Sequence, residues 1–242
     1  MNKPFGVSSM CIDEIYLGRF YNRVQQKTSW LAVRKCDISK TSEISSISNH
    51  IMRHRNLVNV INPTDRYYFS WQLRGTPLSS IITSIKLPES NISIICHDVL
   101  QALVYLHDMM IIHRNVRPEN ILICSNGKVT LGCQPSDHSS ISNLDADRYV
   151  APEIMEGKSY GRKVDVWSLG AVAVYMKRFD ANNCGKKVEM SVKMRAFVDR
   201  CLKRNPEKRL CSKQVAKSSF VVNHETYKKF AASMIDIDDR YG

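Results

Sequence analysis

The residues best equipped for chemistry sit in one polar run near the middle of the chain, His113-Arg114-Asn115-Val116-Arg117-Pro118-Glu119-Asn120. The residue types limit what this run can do. Asn115 can accept or donate a hydrogen bond, but an amide cannot take up a proton at neutral pH. General-base help, commonly worth ~10²–10⁴-fold in rate, is therefore not available from it. A second reservoir of reactivity is the set of eight cysteines, Cys11, Cys36, Cys96, Cys124, Cys133, Cys184, Cys201 and Cys211. No two of them form a C-x-x-C pair. Cys96 and Cys201 lie inside amphipathic runs, where a free thiol behaves as a small apolar residue. The expectation is a reduced, intracellular protein, cytoplasmic or nuclear, rather than a disulfide framework or a zinc site.

Charge bears on partners. Lys plus Arg number 35 against 23 for Asp plus Glu, a net charge of +12. Such an excess favours acidic partners and speeds encounter with them. The basic residues are spread out, and the densest groups, 53–55 and 203–209, are short, so a dedicated nucleic-acid site is not expected. Residues 1–9 lack the apolar core of a signal peptide. No apolar stretch of about 18 residues is available for a membrane span.

The elements that must position the polar run follow from periodicity. Residues 1–75 read as β-rich. Trp30-Leu31-Ala32-Val33 is an apolar run and Tyr67-Tyr68-Phe69-Ser70-Trp71 an aromatic one, both suited to strands. Between them Ile44, Ile47, Ile51 and Met52 fall at helical spacing. Gly75-Thr76-Pro77 marks a turn. Residues 90–112 are the clearest helix, with Ile92, Ile95, Val99, Ala102, Leu103 and Leu106 on one face and Asn91 as its N-cap. Ile121-Leu122-Ile123 and Lys128-Val129-Thr130-Leu131 flank 124–127, a hairpin with glycine at its turn. Residues 165–177 and 193–203 are again helical. A small β lobe is thus followed by a mainly α lobe.

Four motifs occur in order along this frame. The run 113–120 resembles the protein-kinase catalytic loop H-R-D-L-K-P-E-N. Ala151-Pro152-Glu153 resembles the A-P-E that closes the activation segment. Asp165-Val166-Trp167-Ser168-Leu169-Gly170 resembles the start of the large central helix, and Asn205-Pro206-Glu207-Lys208-Arg209-Leu210 the N-P-x-x-R-L near the domain end. The chain is similar to the protein kinase superfamily over about 12–220. The resemblance implies an α+β, bilobal fold in one domain over 1–242, with an N-lobe of about 1–75, a C-lobe of about 76–220 and a tail over 221–242. It implies structural roles for His113, Arg114, Glu153, Asp165 and Arg209. Glu153 would pair with Arg209, Asp165 would hold the catalytic-loop backbone, and His113 would belong to the loop's buried anchor.

The chain departs from the family where phosphoryl transfer needs a positioned hydroxyl, an aligned nucleotide and metal ions. Asn115 replaces the proton-accepting Asp of the loop, and Arg117 its Lys. Family spacing puts the D-F-G triplet at Cys133-Gln134-Pro135. Cys133 would replace a magnesium ligand, although magnesium wants oxygen, and Pro135 fixes φ where the family has Gly. Asp137 is the first carboxylate after it. With Val24 on the trailing Val of the glycine-rich loop, Leu17, Arg19 and Asn22 stand at its three glycine positions, and Gly18 is the only glycine nearby. Arg34 of Leu31-Ala32-Val33-Arg34 replaces the phosphate-holding Lys, and that exchange is not conservative at a tight site. Lys35 alternates to the other strand face. The partner Glu of the next helix falls on Ser45, with Glu43 about 200° around the helix from it.

Asn120, Ala32 and Leu122 remain. The resemblance implies a metal contact for Asn120 and an adenine sandwich for Ala32 and Leu122, with Arg34 at the pocket; plain core packing of Ala32 and Leu122 is the alternative. Val33-Arg34-Lys35, 113–117 and Gly127-Lys128-Val129-Thr130-Leu131 resemble the Sterile-20 group, and within it the STRAD-type adaptor pseudokinases. The expected function is that of a pseudokinase in signalling: a scaffold or allosteric partner of another protein, an active kinase or an acidic protein. No cofactor would be required, and any ATP would bind weakly and without magnesium. The alternative is an atypical Ser/Thr protein kinase transferring the γ-phosphate of ATP to protein hydroxyls. The stretch between Met176 and Met190 is brief, so the substrate-docking helix usual there is expected to be trimmed.

Overall fold

A computed structural model describes residues 15–22, 27–35, 54–58, 60–61, 68–72, 75–124, 126–132, 148–178, 189–221 and 230. Backbone contacts divide the chain into two compact units, 1–74 and 75–242. The expected helix around Ile44 to Met52, with Ser45 and Glu43, lies outside the described residues, as do Cys133, Pro135 and Asp137.

The first unit holds an antiparallel sheet. Its strands are β1 (Ile15–Asn22), β2 (Lys27–Lys35), β3 (Val60–Ile61) and β4 (Tyr68–Gln72), in the order β1-β2-β4-β3. β2 carries the apolar run and β4 the aromatic run, residue types that favour a pleated surface. One expectation fails here. Leu17 pairs with Ala32, Arg19 with Trp30 and Asn22 with Lys27, in an unbroken ladder from Ile15 to Asn22. These three residues are strand positions and not a phosphate-cradling turn, so alignment on Val24 puts the glycine-rich loop in the wrong place. Further along, Asn56 is fully buried, and its N–H reaches His54 Nδ1 at 3.2 Å.

The second unit opens with β5 (Thr76–Pro77), which pairs with β6 (Ile121–Ile123), which in turn pairs with β7 (Val129–Leu131). The expected turn at Gly75-Thr76-Pro77 is therefore a turn only at Gly75, which has φ +103°; a Cβ there would stand 2.5 Å from the Ile123 carbonyl oxygen. Only glycine accepts that backbone without strain. The β6–β7 hairpin closes through Gly127, at φ 75°, whose N–H donates to the Cys124 carbonyl at 2.8 Å.

Helix α1 (Leu78–Ser84) buries Leu78, Ile81 and Ile82. Its apolar residues have i, i+3, i+4 spacing, but a helix of two turns gives too short a pattern to stand out in the sequence. Helix α2 (Glu89–Asp108) is the core of the unit and packs against β7 and two later helices. Ile92, Ile95, Val99, Ala102, Leu103 and Leu106 are all fully buried. Its N-cap is Pro88, and Asn91 is a buried residue inside the first turn. Proline suits this entry because it cannot continue a helix backwards. The helix stops at Asp108, short of the expected 112. Met110 takes a left-handed φ of 64°, and Ile111 N–H donates back to the Leu106 carbonyl at 3.0 Å, a Schellman-type ending.

Helix α3 is Pro152–Met155, α4 Lys163–Arg178, α5 Val192–Cys201 and α6 Ser212–Val215. Ser191 caps α5 by accepting from Met194 N–H at 3.2 Å. α4 and α5 touch at Gly170, where a Cβ would lie 2.5 Å from Cys201 Cβ. Cys96 and Cys201 are free and buried among apolar neighbours. Burial pushes the Cys201 thiol up to about 12 and Cys96 well above its usual range. Neither is a nucleophile at neutral pH. Among the described residues no helix is long and apolar enough to cross a membrane.

Candidate active site

The loop between α2 and β6 is held from below by one carboxylate. Asp165, in the first turn of α4 and fully buried, accepts the N–H of His113 through Oδ2 and that of Arg114 through Oδ1, each at 2.8 Å. This double clamp suits the left-handed φ of 65° at Arg114, a conformation a non-glycine residue adopts only when its surroundings hold it there. His113 is also buried, and its Nε2 donates to the Gly132 carbonyl at 2.8 Å. Burial holds its imidazole below the ordinary histidine range, against the raising effect of Asp165.

The upper side of the loop is tied by Asn120, whose Nδ2 donates to the Asn115 carbonyl at 2.8 Å. Its own backbone carbonyl accepts from Gly132 N–H at 2.7 Å. Asn115 therefore sits on a fixed backbone, with a half-buried side chain. Arg117 is paired with a neighbour: its Nε donates to Glu119 Oε2 at 2.7 Å. His113, Arg114, Asn115, Asn120 and Asp165 are thus brought together within the second unit. Arg34 and Ala32 belong to the first unit, where Arg34 pairs with Ile15 and Phe69 and Ala32 with Leu17 and Trp71. Leu122 is buried in β6 of the second unit.

Two supports hold this unit: the first is not marked in the sequence, and the second contains the expected Glu153–Arg209 pair. His107, buried at the end of α2, bridges Asp165 Oδ2 at 2.8 Å and Ser212 Oγ at 2.9 Å. All three residues of this Ser-His-Asp line are buried, so no substrate reaches it; it braces the clamp. Nothing in the sequence marks it, because a histidine at a helix end is ordinarily solvated. The second is the setting of Arg209, which is 1% exposed. Its Nη1 and Nη2 donate to Glu153 Oε1 and Oε2 at 2.6 and 3.0 Å. Nε reaches the Lys203 carbonyl at 2.9 Å, Nη1 the Lys163 carbonyl at 3.1 Å, and the guanidinium lies 5.0 Å over the Trp167 ring. Burial alone would raise the Glu153 carboxyl; the Arg209 hydrogen bonds outweigh it and leave it below the usual carboxylate range.

Magnesium takes oxygen ligands. Among the described residues of the loop, Asn120 offers one amide oxygen, and its Nδ2 donates to the Asn115 carbonyl; Cys133 lies outside the described residues. The loop geometry fixes a backbone and a shape, and the Asn115 amide cannot accept a proton.

Comparison with known proteins agrees with this frame. The family described as Protein kinase domain matches residues 22–221. Serine/threonine-protein kinase pak-1 of Caenorhabditis elegans is 30% identical over 176 residues, covering 66% of this chain and 31% of that protein. Serine/threonine-protein kinase shk1/pak1 of Schizosaccharomyces pombe is 31% identical over 169 residues, 60% of this chain and 25% of that protein. Serine/threonine-protein kinase PAK 1 of Mus musculus is 27% identical over 226 residues, 79% of this chain and 42% of that protein. The chain spans less than half the length of these relatives, which fall in the Sterile-20 group. The bidentate Glu153–Arg209 pair, the Asp165 clamp and the family match across 22–221 lead to one conclusion: this chain belongs to the protein kinase family.

Proposed function

We propose that this chain is a catalytically inactive member of the kinase family that acts through its surface, as a scaffold or allosteric partner of another protein such as an active kinase. The observation that carries the reading is a loop whose backbone is fully braced while its reacting position is an amide. Asp165, His107 and Asn120 fix the segment, yet Asn115 cannot accept a proton, and Arg117 is engaged by Glu119. The likeness to STRAD-type adaptor pseudokinases belongs to the same proposal, as does an intracellular location.

The test is phosphoryl transfer by the purified chain from labelled ATP to generic protein substrates and to itself. No transfer above background is expected. Transfer that Asn120→Ala or Arg34→Ala abolishes would sink the proposal. A second reading, an atypical Ser/Thr protein kinase, is favoured by one observation: the three relatives named above are described as serine/threonine-protein kinases. It requires an oxygen ligand to replace the one lost at Cys133, and the same assay promotes it if activity depends on magnesium.

A further inference from the structure

The residue that closes α2 is an unusual choice for its place. Met110 holds the left-handed φ of 64° there, a position that glycine or asparagine takes most easily. A longer side chain adds backbone strain, and a residue keeps such a conformation where its surroundings impose it. Burial offers no compensation, since Met110 is 72% exposed. What the side chain does is present sulfur to a cation. Arg162 Nη1 donates to Met110 Sδ at 3.0 Å, and the same nitrogen donates to the His107 carbonyl. Arg162 stands just before α4 and is itself exposed. His107 is the residue whose ring braces Asp165. The thioether, the guanidinium and the loop clamp are therefore contiguous.

A thioether is a weak acceptor, poorly matched to a guanidinium. Oxidation turns it into a polar sulfoxide, whose oxygen can take a charge-assisted hydrogen bond of the short, strong kind. We propose that Met110 is a site of reversible oxidation by hydrogen peroxide, and that Arg162 holds the sulfoxide. In the step, a sulfur lone pair attacks one peroxide oxygen. The S–O bond forms and the O–O bond breaks; the departing oxygen takes the proton of the transferred one and leaves as water. Sulfur loses two electrons and the peroxide gains them. Methionine sulfoxide reductases, supplied with a thiol, restore the thioether. The tighter Arg162 tie fixes both Met110 and the His107 carbonyl, so the segment 107–114 opens less readily. The proposal needs neither nucleotide nor phosphoryl transfer, and it stands apart from the scaffold reading.

Peptide-resolved mass spectrometry of the intact, folded chain in dilute hydrogen peroxide tests the first half. Met110 should oxidise at least about tenfold faster than Met176 and Met194, both fully buried, because access governs susceptibility. Met155, 62% exposed, calibrates simple access. Oxidation of Met155 with Met110 left intact would overturn the proposal. Hydrogen exchange over the peptide 107–114 tests the second half. Exchange should slow about fivefold in the oxidised chain, since local opening must break the new charge-assisted bond. Treatment with methionine sulfoxide reductases and dithiothreitol should return it to its starting rate. Met110→Leu, exposed to peroxide in parallel, should show no slowing, which separates Met110 from the other methionines. Arg162→Gln should still oxidise at Met110 but show no slowing. Met110→Leu leaves Arg162 and its bond to the His107 carbonyl in place, so the comparison survives if Arg162→Gln is too unstable to measure. Unchanged or faster exchange in the oxidised chain would overturn the proposal, as would slowing that persists in Met110→Leu. Slowing that persists in Arg162→Gln would overturn the role given to Arg162. All these outcomes are read without ATP, so they leave the phosphoryl-transfer assay to judge the inactive reading by itself.

Discussion

Arg209 and Glu153 carry the heaviest single obligation in the second unit. Removing one partner of a buried, hydrogen-bonded ion pair strands the other charge, which costs about 3–5 kcal/mol. Glu153→Ala should therefore lower the unfolding free energy by about that amount in urea titration. Glu156→Ala, at an exposed residue whose partners are Lys158 and Arg204, should change it little. The pH dependence has a definite sign. The Glu153 carboxyl is held below its usual range, and unfolded glutamate titrates near ~4.3. Its stabilisation is thus fully present above that value and lost as pH falls through the lower, folded pKa. His113 adds an earlier loss. Its imidazole is held low by burial, so protonation of the unfolded chain begins to draw stability away as pH drops below ~6.5. Stability measured from about pH 8 to 3 should show both declines, and Glu153→Gln should reduce the lower one, to which Glu89 and Glu156, also held below their usual range, contribute as well. At this scale the sequence is informative where a residue type is irreplaceable: the amide of Asn115 is inert as a base whatever surrounds it. It is silent on His107, because a histidine at the end of an apolar helix reads the same whether it is solvated or bridging two buried groups.

Gly75 and Gly170 each mark a close approach between elements. Gly170 lets α4 and α5 approach within a methyl group's width. Gly170→Ala should destabilise the fold by about 1–3 kcal/mol, the usual cost of overpacking, seen as a lower denaturation midpoint with unchanged slope. The long helices are legible because the 3.6-residue period runs over many turns: the expected 90–112, 165–177 and 193–203 appear as Glu89–Asp108, Lys163–Arg178 and Val192–Cys201. The misplacements have local causes. Asn91 is a good capping residue by type, but Pro88, three positions earlier, already sets the helix entry. Thr76-Pro77 looks like turn material, yet its extended backbone finds a ladder partner in β6, a long-range pairing no local pattern reveals. The glycine-loop positions fail because spacing from Val24 takes no account of how long the β1–β2 ladder is.

Taken as a whole, the molecule has the protein kinase domain, and the inactive reading proposed for it bears on how it would handle a nucleotide with metal. If ATP binds, adenine contact must supply most of the affinity, and burial of that apolar face is worth only a few kcal/mol. Binding should be weak, roughly micromolar to millimolar, and the melting temperature should rise only when ATP exceeds its dissociation constant. A titration with ATP in EDTA and in magnesium should give the same small shift, or none. A large shift confined to magnesium would mean that another oxygen, with Asp137 the first suspect, completes a metal site.

The cramped backbone at Gly75 also has a genetic consequence. With φ +103° and the Ile123 carbonyl in the place a β-carbon would occupy, no L-amino acid with a side chain fits without displacing the β5–β6 pairing. A saturation library at this codon, scored for folded protein, should return little beyond the synonymous glycine triplets, whereas the neighbouring Thr76 codon should tolerate many replacements. To a geneticist counting survivors, Gly75 would look like a catalytic residue. Its intolerance would come from the absence of room for a single carbon.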